Sequence, residues 1–153
     1  MRAVVQRVTS ASVTIQEGEK NVTVADIGRG FLVLLGVSVD DNSEDVVWMA
    51  DKLSGLRIMS DSDGRMNCSL ADCNGEMLLV SNFTLMGDCR KGRRPAFTGA
   101  AGSEPAETLF IGTAAAVSNL GIPVKTGRFG ADMRVSIVND GPVTLLLDSK
   151  KTF

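Results

Sequence analysis

Asn139-Asp140-Gly141-Pro142-Val143-Thr144 places a Gly-Pro bond between two runs of strand character, Met133-Arg134-Val135-Ser136-Ile137-Val138 and Val143-Thr144-Leu145-Leu146-Leu147. Proline has no N–H to give a sheet ladder, so the junction has to be a bulge, a sheet edge or a tight corner, with backbone groups turned in an unusual direction. Two readings follow. The junction is a hairpin turn between two strands, or it is a functional element made of main chain. An X-Pro bond is also the common place for a cis peptide, a minority state of such bonds.

Outward from that junction, the chain begins as β. Met1 to Val8 and Ala11 to Gln16 alternate as strands do, with Thr9-Ser10 as a break, and Phe31 to Val39 is a nearly continuous apolar run that predicts a buried strand. Asp40-Asp41-Asn42-Ser43 supplies capping residues, after which Val46, Val47, Met49, Ala50 and Leu53 recur at helical spacing up to Gly55. Asp61-Ser62-Asp63-Gly64 reads as a hairpin turn; as a calcium loop it lacks a third acidic ligand and the closing Glu. Met77 to Leu85 predicts a further strand. Ser103 as N-cap, Pro105 in the first turn, then Ala106, Leu109, Phe110, Ala114, Val117 and Leu120, with Gly121 and Pro123 at the end, predict a second amphipathic helix. Two or three strands follow between Val124 and Leu147, and the charged tail Asp148 to Phe153 is expected to fray.

This order predicts one domain over residues 1–153 of the α+β class, with a mainly antiparallel, curved, barrel-like sheet and two principal helices. Two helices cannot cover so many apolar strands. One sheet face is therefore expected to meet a second copy of the chain, giving a homodimer that pairs through the sheet.

Composition narrows the chemistry. The 153 residues contain no histidine, which removes Ser-His-Asp and Cys-His machinery and the commonest metal ligand. Cys68, Cys73 and Cys89 are odd in number and irregular in spacing, as reduced thiols are, and no C-x-x-C pair supports a zinc site. No metal and no cofactor is expected. The apolar run near Met1 is too short for a signal peptide and none elsewhere reaches a membrane span, so a cytoplasmic protein without membrane attachment is expected. A net charge of −2 argues against coating nucleic acid through a global field. Arg90-Lys91-Gly92-Arg93-Arg94 nevertheless packs four cations into five residues, either a solvated loop or a grip for phosphates.

Ser81-Asn82-Phe83-Thr84-Leu85 together with Asn139-Asp140-Gly141-Pro142-Val143-Thr144 resembles the two signature motifs of the D-aminoacyl-tRNA deacylase family. The resemblance extends in order through Gln6-Arg7-Val8, Ala11-Ser12-Val13-Thr14, Leu34-Leu35-Gly36-Val37, Gly92-Arg93-Arg94-Pro95-Ala96-Phe97 and Thr126-Gly127-Arg128-Phe129-Gly130-Ala131-Asp132-Met133. It implies a homodimeric, metal-independent hydrolase of the ester between a D-amino acid and the 3′-terminal adenosine of tRNA, which also accepts glycine. It implies a cis bond between Gly141 and Pro142 that reaches into the partner's active site, braced by Arg7, with Phe129 and Met133 near the adenosine. The catalytic segment would be Ser81, Asn82, Phe83 and Thr84. Arg90, Lys91, Arg93 and Arg94 would contact phosphates near the acceptor stem.

Asn82 departs from the family pattern, which usually has Gln there, one methylene longer. The stretch Glu17 to Asp26 also looks a few residues longer than in common members and reads as an extended hairpin. Thr84 is either a nucleophile or a positioner of water; a threonine nucleophile normally needs an adjacent base, and none is evident in the motif. Other readings remain: a catalytically weak nucleic-acid-binding module of the same fold, and a thiol esterase through Cys89, which lacks an imidazole partner.

Overall fold

Every residue of Gly30–Gly36 except Leu34 is buried, because this strand lies between two layers of apolar side chains. Its alternate residues point to opposite faces. Phe31, Val33 and Leu35 enter a core shared with both helices, whereas Leu32 joins Val8, Ala11, Val13, Ala25, Ile27, Leu78 and Val80 on the other face. The computed structural model describes residues 1–152.

The strands are Arg2–Glu17 (β1), Lys20–Ile27 (β2), Gly30–Gly36 (β3), Met59–Ser60 (β4), Met66–Cys68 (β5), Glu76–Ser81 (β6), Val124–Thr126 (β7) and Met133–Asp148 (β8). The helices are Ser43–Gly55 (α1) and Ser103–Asn119 (α2). The main sheet runs β2-β1-β3-β6-β7, with β8 on the other side of β1. Pairs involving β1 are antiparallel, whereas β3 with β6 and β6 with β7 are parallel. The sheet curls almost closed: Lys125 of β7 donates to the Asp26 carbonyl of β2 at 2.6 Å. The fold is thus α+β with a curved sheet and two helices.

Thr9-Ser10 does not interrupt the first strand. It marks the place where β1 shifts register against β8, between Gln6 and Val8 and again between Val8 and Ser10. Thr9 is the unpaired residue between the Val8–Asn139 and Ser10–Val138 pairs, and on the other side of Val8 Arg7 alone faces Asp140 to Val143, so a small bulge in β1 adjoins the larger one in β8. Among the described residues β8 pairs only with β1, and Ile137, Val138 and Leu146 on it are exposed.

Asn42 caps α1 by accepting the Glu44 N–H at 2.8 Å while Asp45 reaches back to the Asn42 N–H at 2.9 Å. α2 starts after Gly102 rather than with Ser103 as its cap. The expected fraying of the tail is not found through residue 152. The Met1 ammonium sits 2.6 Å from Asp41 and also donates to the Ser149 hydroxyl; Lys150 pairs with Asp45 at 2.8 Å. Burial would raise the pKa of Asp45, but hydrogen bonds from Lys150, Ser149 and the Asn42 amide outweigh it and lower the value to about 2. Phe153 lies outside the described residues. No helix among them is long and apolar enough to cross a membrane.

Candidate functional site

β6 ends at Ser81, not at Leu85: the Asn82 N–H makes the last bond to β3, to the Leu35 carbonyl at 2.8 Å, and the chain then coils into a 3-10 turn, Phe83–Met86. The turn closes with Leu85 N–H on the Asn82 carbonyl (3.3 Å) and Gly87 N–H on the Thr84 carbonyl (3.0 Å). The leading amides, those of Phe83 and Thr84, have no acceptor within the turn. The Thr84 hydroxyl donates to Oδ1 of Asn82. Its proton is therefore directed at an amide oxygen, a group that cannot act as a base.

A cleft of about 340 Å³ opens beside this turn. Ser81, Asn82 and Phe83 line it together with Phe110, Phe129 and Met133. The Phe110 and Phe129 rings lie 5.8 Å apart, so α2 fixes the aromatic wall. Ser103, expected only as a helix cap, and Asp132, given no site role by the sequence, add polar groups to the lining.

The second signature segment is not a hairpin turn; the chain passes through it within the single strand β8. The Gly141-Pro142 bond is cis, and Gly141 has φ +138°, a region L side chains rarely adopt. Two side chains hold the segment. Asn139 spans it, its Nδ2 donating to the Val143 carbonyl and its Oδ1 accepting the Val143 N–H, both at 3.1 Å. The amide thereby satisfies both backbone groups of the residue that follows the proline. Arg7, buried under the segment, donates from Nε to the Asp140 carbonyl and lies 3.1 Å from its carboxylate, while Nη1 reaches the Ile58 carbonyl at 2.8 Å and Ser60 Oγ at 3.4 Å. One planar guanidinium thus ties β1, the β4 hairpin and the β8 bulge. The clamp by Asn139 was legible only as an Asn four residues before Val143 across Gly-Pro, a spacing with no local precedent to flag it.

The two segments do not meet within one copy of the chain. Ser81, Asn82, Phe83, Phe129 and Met133 line the cleft, whereas Thr84, Arg7, Gly141 and Pro142 do not. Gly141 is eight residues beyond Met133 on β8, about 26 Å of extended strand. Gly141 and Pro142 stand exposed at the surface.

The basic run forms an exposed arch. Asp88 and Ala96 bridge its base through two backbone hydrogen bonds of 2.7 and 3.0 Å. Arg90 is committed to Asp88 at 2.7 Å, and hydrogen bonding by Arg90 lowers the Asp88 pKa to about 2. Among the described residues, Lys91, Arg93 and Arg94 have no carboxylate partner. No three Cys, Asp or Glu side chains among the described residues cluster as a metal site requires.

Residues 4–148 match the family described as D-Tyr-tRNA(Tyr) deacylase. The chain is 56% identical over 153 residues to the D-aminoacyl-tRNA deacylase of Thermosipho africanus (strain TCF52B), with 100% of both chains covered. It is 53% identical over 153 residues to the D-aminoacyl-tRNA deacylase of Clostridioides difficile (strain 630), again over 100% of both. Among solved structures, the c-Myc DNA Unwinding Element Binding Protein is similar with a TM-score of 0.89 and 41% identity, over 97% of this chain and 98% of that one. With the fold, both signature segments and nearly the full length in agreement, the chain belongs to the D-Tyr-tRNA(Tyr) deacylase family.

Proposed function

We propose that the protein hydrolyses the ester joining a D-amino acid to the 3′-terminal adenosine of tRNA, releasing free amino acid and tRNA in the cytoplasm. Full-length family membership carries this reading, supported by the cleft that Ser81, Asn82 and Phe83 share with Phe129 and Met133. D and L esters differ by exchange of hydrogen and side chain at one carbon. A selector that accepts every D side chain must exclude substituents from the L position, and rigid backbone does this without touching the accepted group. Gly141 and Pro142 supply that backbone in this proposal, their carbonyls receiving the substrate ammonium. Glycyl esters pass as a consequence. The decisive measurement is ester loss from matched D-tyrosyl-, L-tyrosyl- and glycyl-tRNA; equal rates on the first two would refute the reading.

Catalysis in this account rests on positioning and on charge stabilisation of an already activated ester. The amides of Phe83 and Thr84 hold the carbonyl oxygen, Thr84 positions water, and the adenosine 2′-hydroxyl assists. A 2′-deoxy substrate cleaved at full speed would exclude the last step.

A second copy of the chain would bring its own Gly141 and Pro142 to the cleft, since one copy places them apart, and the open edge and exposed apolar residues of β8 favour such pairing. Sedimentation at micromolar concentration tests it; a monomer with full activity would refute it. The alternative of a nucleic-acid-binding module without hydrolysis is favoured by the exposed cations Lys91, Arg93 and Arg94 and by the name of the 41% identical structure. Binding of D-aminoacyl-tRNA without ester loss would establish it.

A further inference from the structure

Phe83 lines the cleft and carries a second exposed phenylalanine, Phe97, against its ring. Phe83 is 60% exposed and Phe97 36%, and their rings meet edge to face at 5.2 Å with an interplanar angle of 65°. A lone exposed apolar side chain is ordinary, but two aromatic rings fixed against each other form a surface of defined shape.

Both are held by backbone. Phe83 opens the 3-10 turn hung from β3, and Phe97 follows the bridge that closes the basic arch, with its carbonyl accepting the Ala100 N–H at 3.0 Å. Gly87 leaves room for the Phe97 ring; a Cβ there would lie 3.0 Å from Cε1 of Phe97. The arch bearing Lys91, Arg93 and Arg94 is therefore docked beside the cleft through an aromatic contact.

We propose that the Phe83–Phe97 pair and these three cations form a subsite for the unpaired nucleotides that precede the terminal adenosine, one base stacking on the rings while its phosphate lies against the arch. The inference rests on the reading that the cleft takes the 3′-terminal adenosine. Rings with adjacent unpaired cations match single-stranded nucleic acid, in which each base offers a π-face and each linkage a negative charge. A second copy seated symmetrically on the same patch would bring two sets of cations together, which disfavours that occupant. Stacking is indifferent to base identity, so the subsite adds affinity for the common 3′ end of tRNA without discriminating among tRNAs.

The test compares wild type, Phe97→Leu and Phe97→Trp in titrations with 5′-phosphorylated CCA trinucleotide and with adenosine monophosphate, and in hydrolysis of D-aminoacyl-tRNA and D-aminoacyl-adenosine. Phe97→Leu is expected to weaken the trinucleotide roughly tenfold more than the monophosphate, and Phe97→Trp to restore it. The kcat/KM for tRNA should fall by the same factor relative to the adenosine ester. Equal losses on long and short ligands would overturn the proposal, as would a shift of Phe97→Leu to a lighter species in sedimentation, which would make the patch an interface between copies. If wild type hydrolyses neither ester, the deacylase reading fails, and the two titrations still decide the subsite.

Discussion

Gly141→Ala tests whether main-chain geometry is what matters in the β8 bulge. At φ +138° an alanine is in a region essentially reserved for glycine, at a cost of about 1–3 kcal/mol. The new Cβ would also lie 2.7 Å from the Val143 nitrogen, a backbone atom, and 2.7 Å from Cγ2 of Val143. The bulge has to shift, disturbing the two hydrogen bonds that Asn139 makes to Val143, each worth about 1 kcal/mol. Together these give roughly 2–4 kcal/mol, or a fall in Tm of about 5–15 °C for a chain of this size. Because Gly141 is exposed and the rest of β8 stays paired with β1, the variant should still fold. A displacement near 1 Å in a positioning element costs about 100-fold in rate, so kcat/KM on D-aminoacyl-tRNA should fall by that order. Leu53→Ala, in the helix core away from both segments, serves as the stability-matched control at about 2–5 kcal/mol and should keep its rate on the folded fraction. Calorimetry and single-turnover deacylation of both variants decide the matter. A Gly141→Ala protein with Tm within 1 °C and rate within twofold of wild type would refute the reasoning.

Asn139→Ala removes both clamp bonds and should destabilise by about 2 kcal/mol while lowering deacylation; an unchanged rate would show that the bulge holds itself. Asp45 has its pKa lowered from 3.8 to about 2, so its contribution is present above pH 4 and is lost as pH falls towards 2. Urea unfolding should show the advantage of wild type over Asp45→Asn shrinking by about 2 kcal/mol between pH 6 and pH 2; parallel curves would contradict it. Thr84→Ala should retain at least about a tenth of wild-type kcat if the hydroxyl positions water, and lose essentially all of it if Thr84 is the nucleophile. Replacing Arg93 and Arg94 by alanine should reduce the slope of log affinity for tRNA against log salt by about 1.4–1.8, whereas Arg90→Ala, whose charge Asp88 already balances, should change it less.

Where burial and periodicity coincide, the sequence was sufficient. Phe31 to Val39 reads as a buried strand, and Gly30–Gly36 is one, buried except at Leu34 but ending three residues short of Val39; α1 reads from Asn42 onward because its cap and apolar stripe are local. Local pattern failed where tertiary contacts decide. Leu85 continues an apolar run, yet the strand stops at Ser81 because the chain turns back on itself, the Leu85 N–H closing on the Asn82 carbonyl. Thr9-Ser10 looks like a break and is a bulge, because a strand 130 residues later bends with it. The tail looks too charged to dock, but Lys150 pairs with Asp45 and the Ser149 hydroxyl accepts from the Met1 ammonium. For the site, family resemblance singled out both segments and implied that the Gly-Pro element serves a partner's cleft; the sequence did not show that Asp88 occupies Arg90.

A strand of sixteen residues with one side unbonded among the described residues offers its N–H and C=O groups to any extended peptide, not merely to a copy of itself. Ile137, Val138 and Leu146 make that rim sticky. Where paired copies shield it, dilution unmasks the rim, so the amyloid-dye signal of stored protein should grow on lowering the concentration through the dissociation range, opposite to the usual trend.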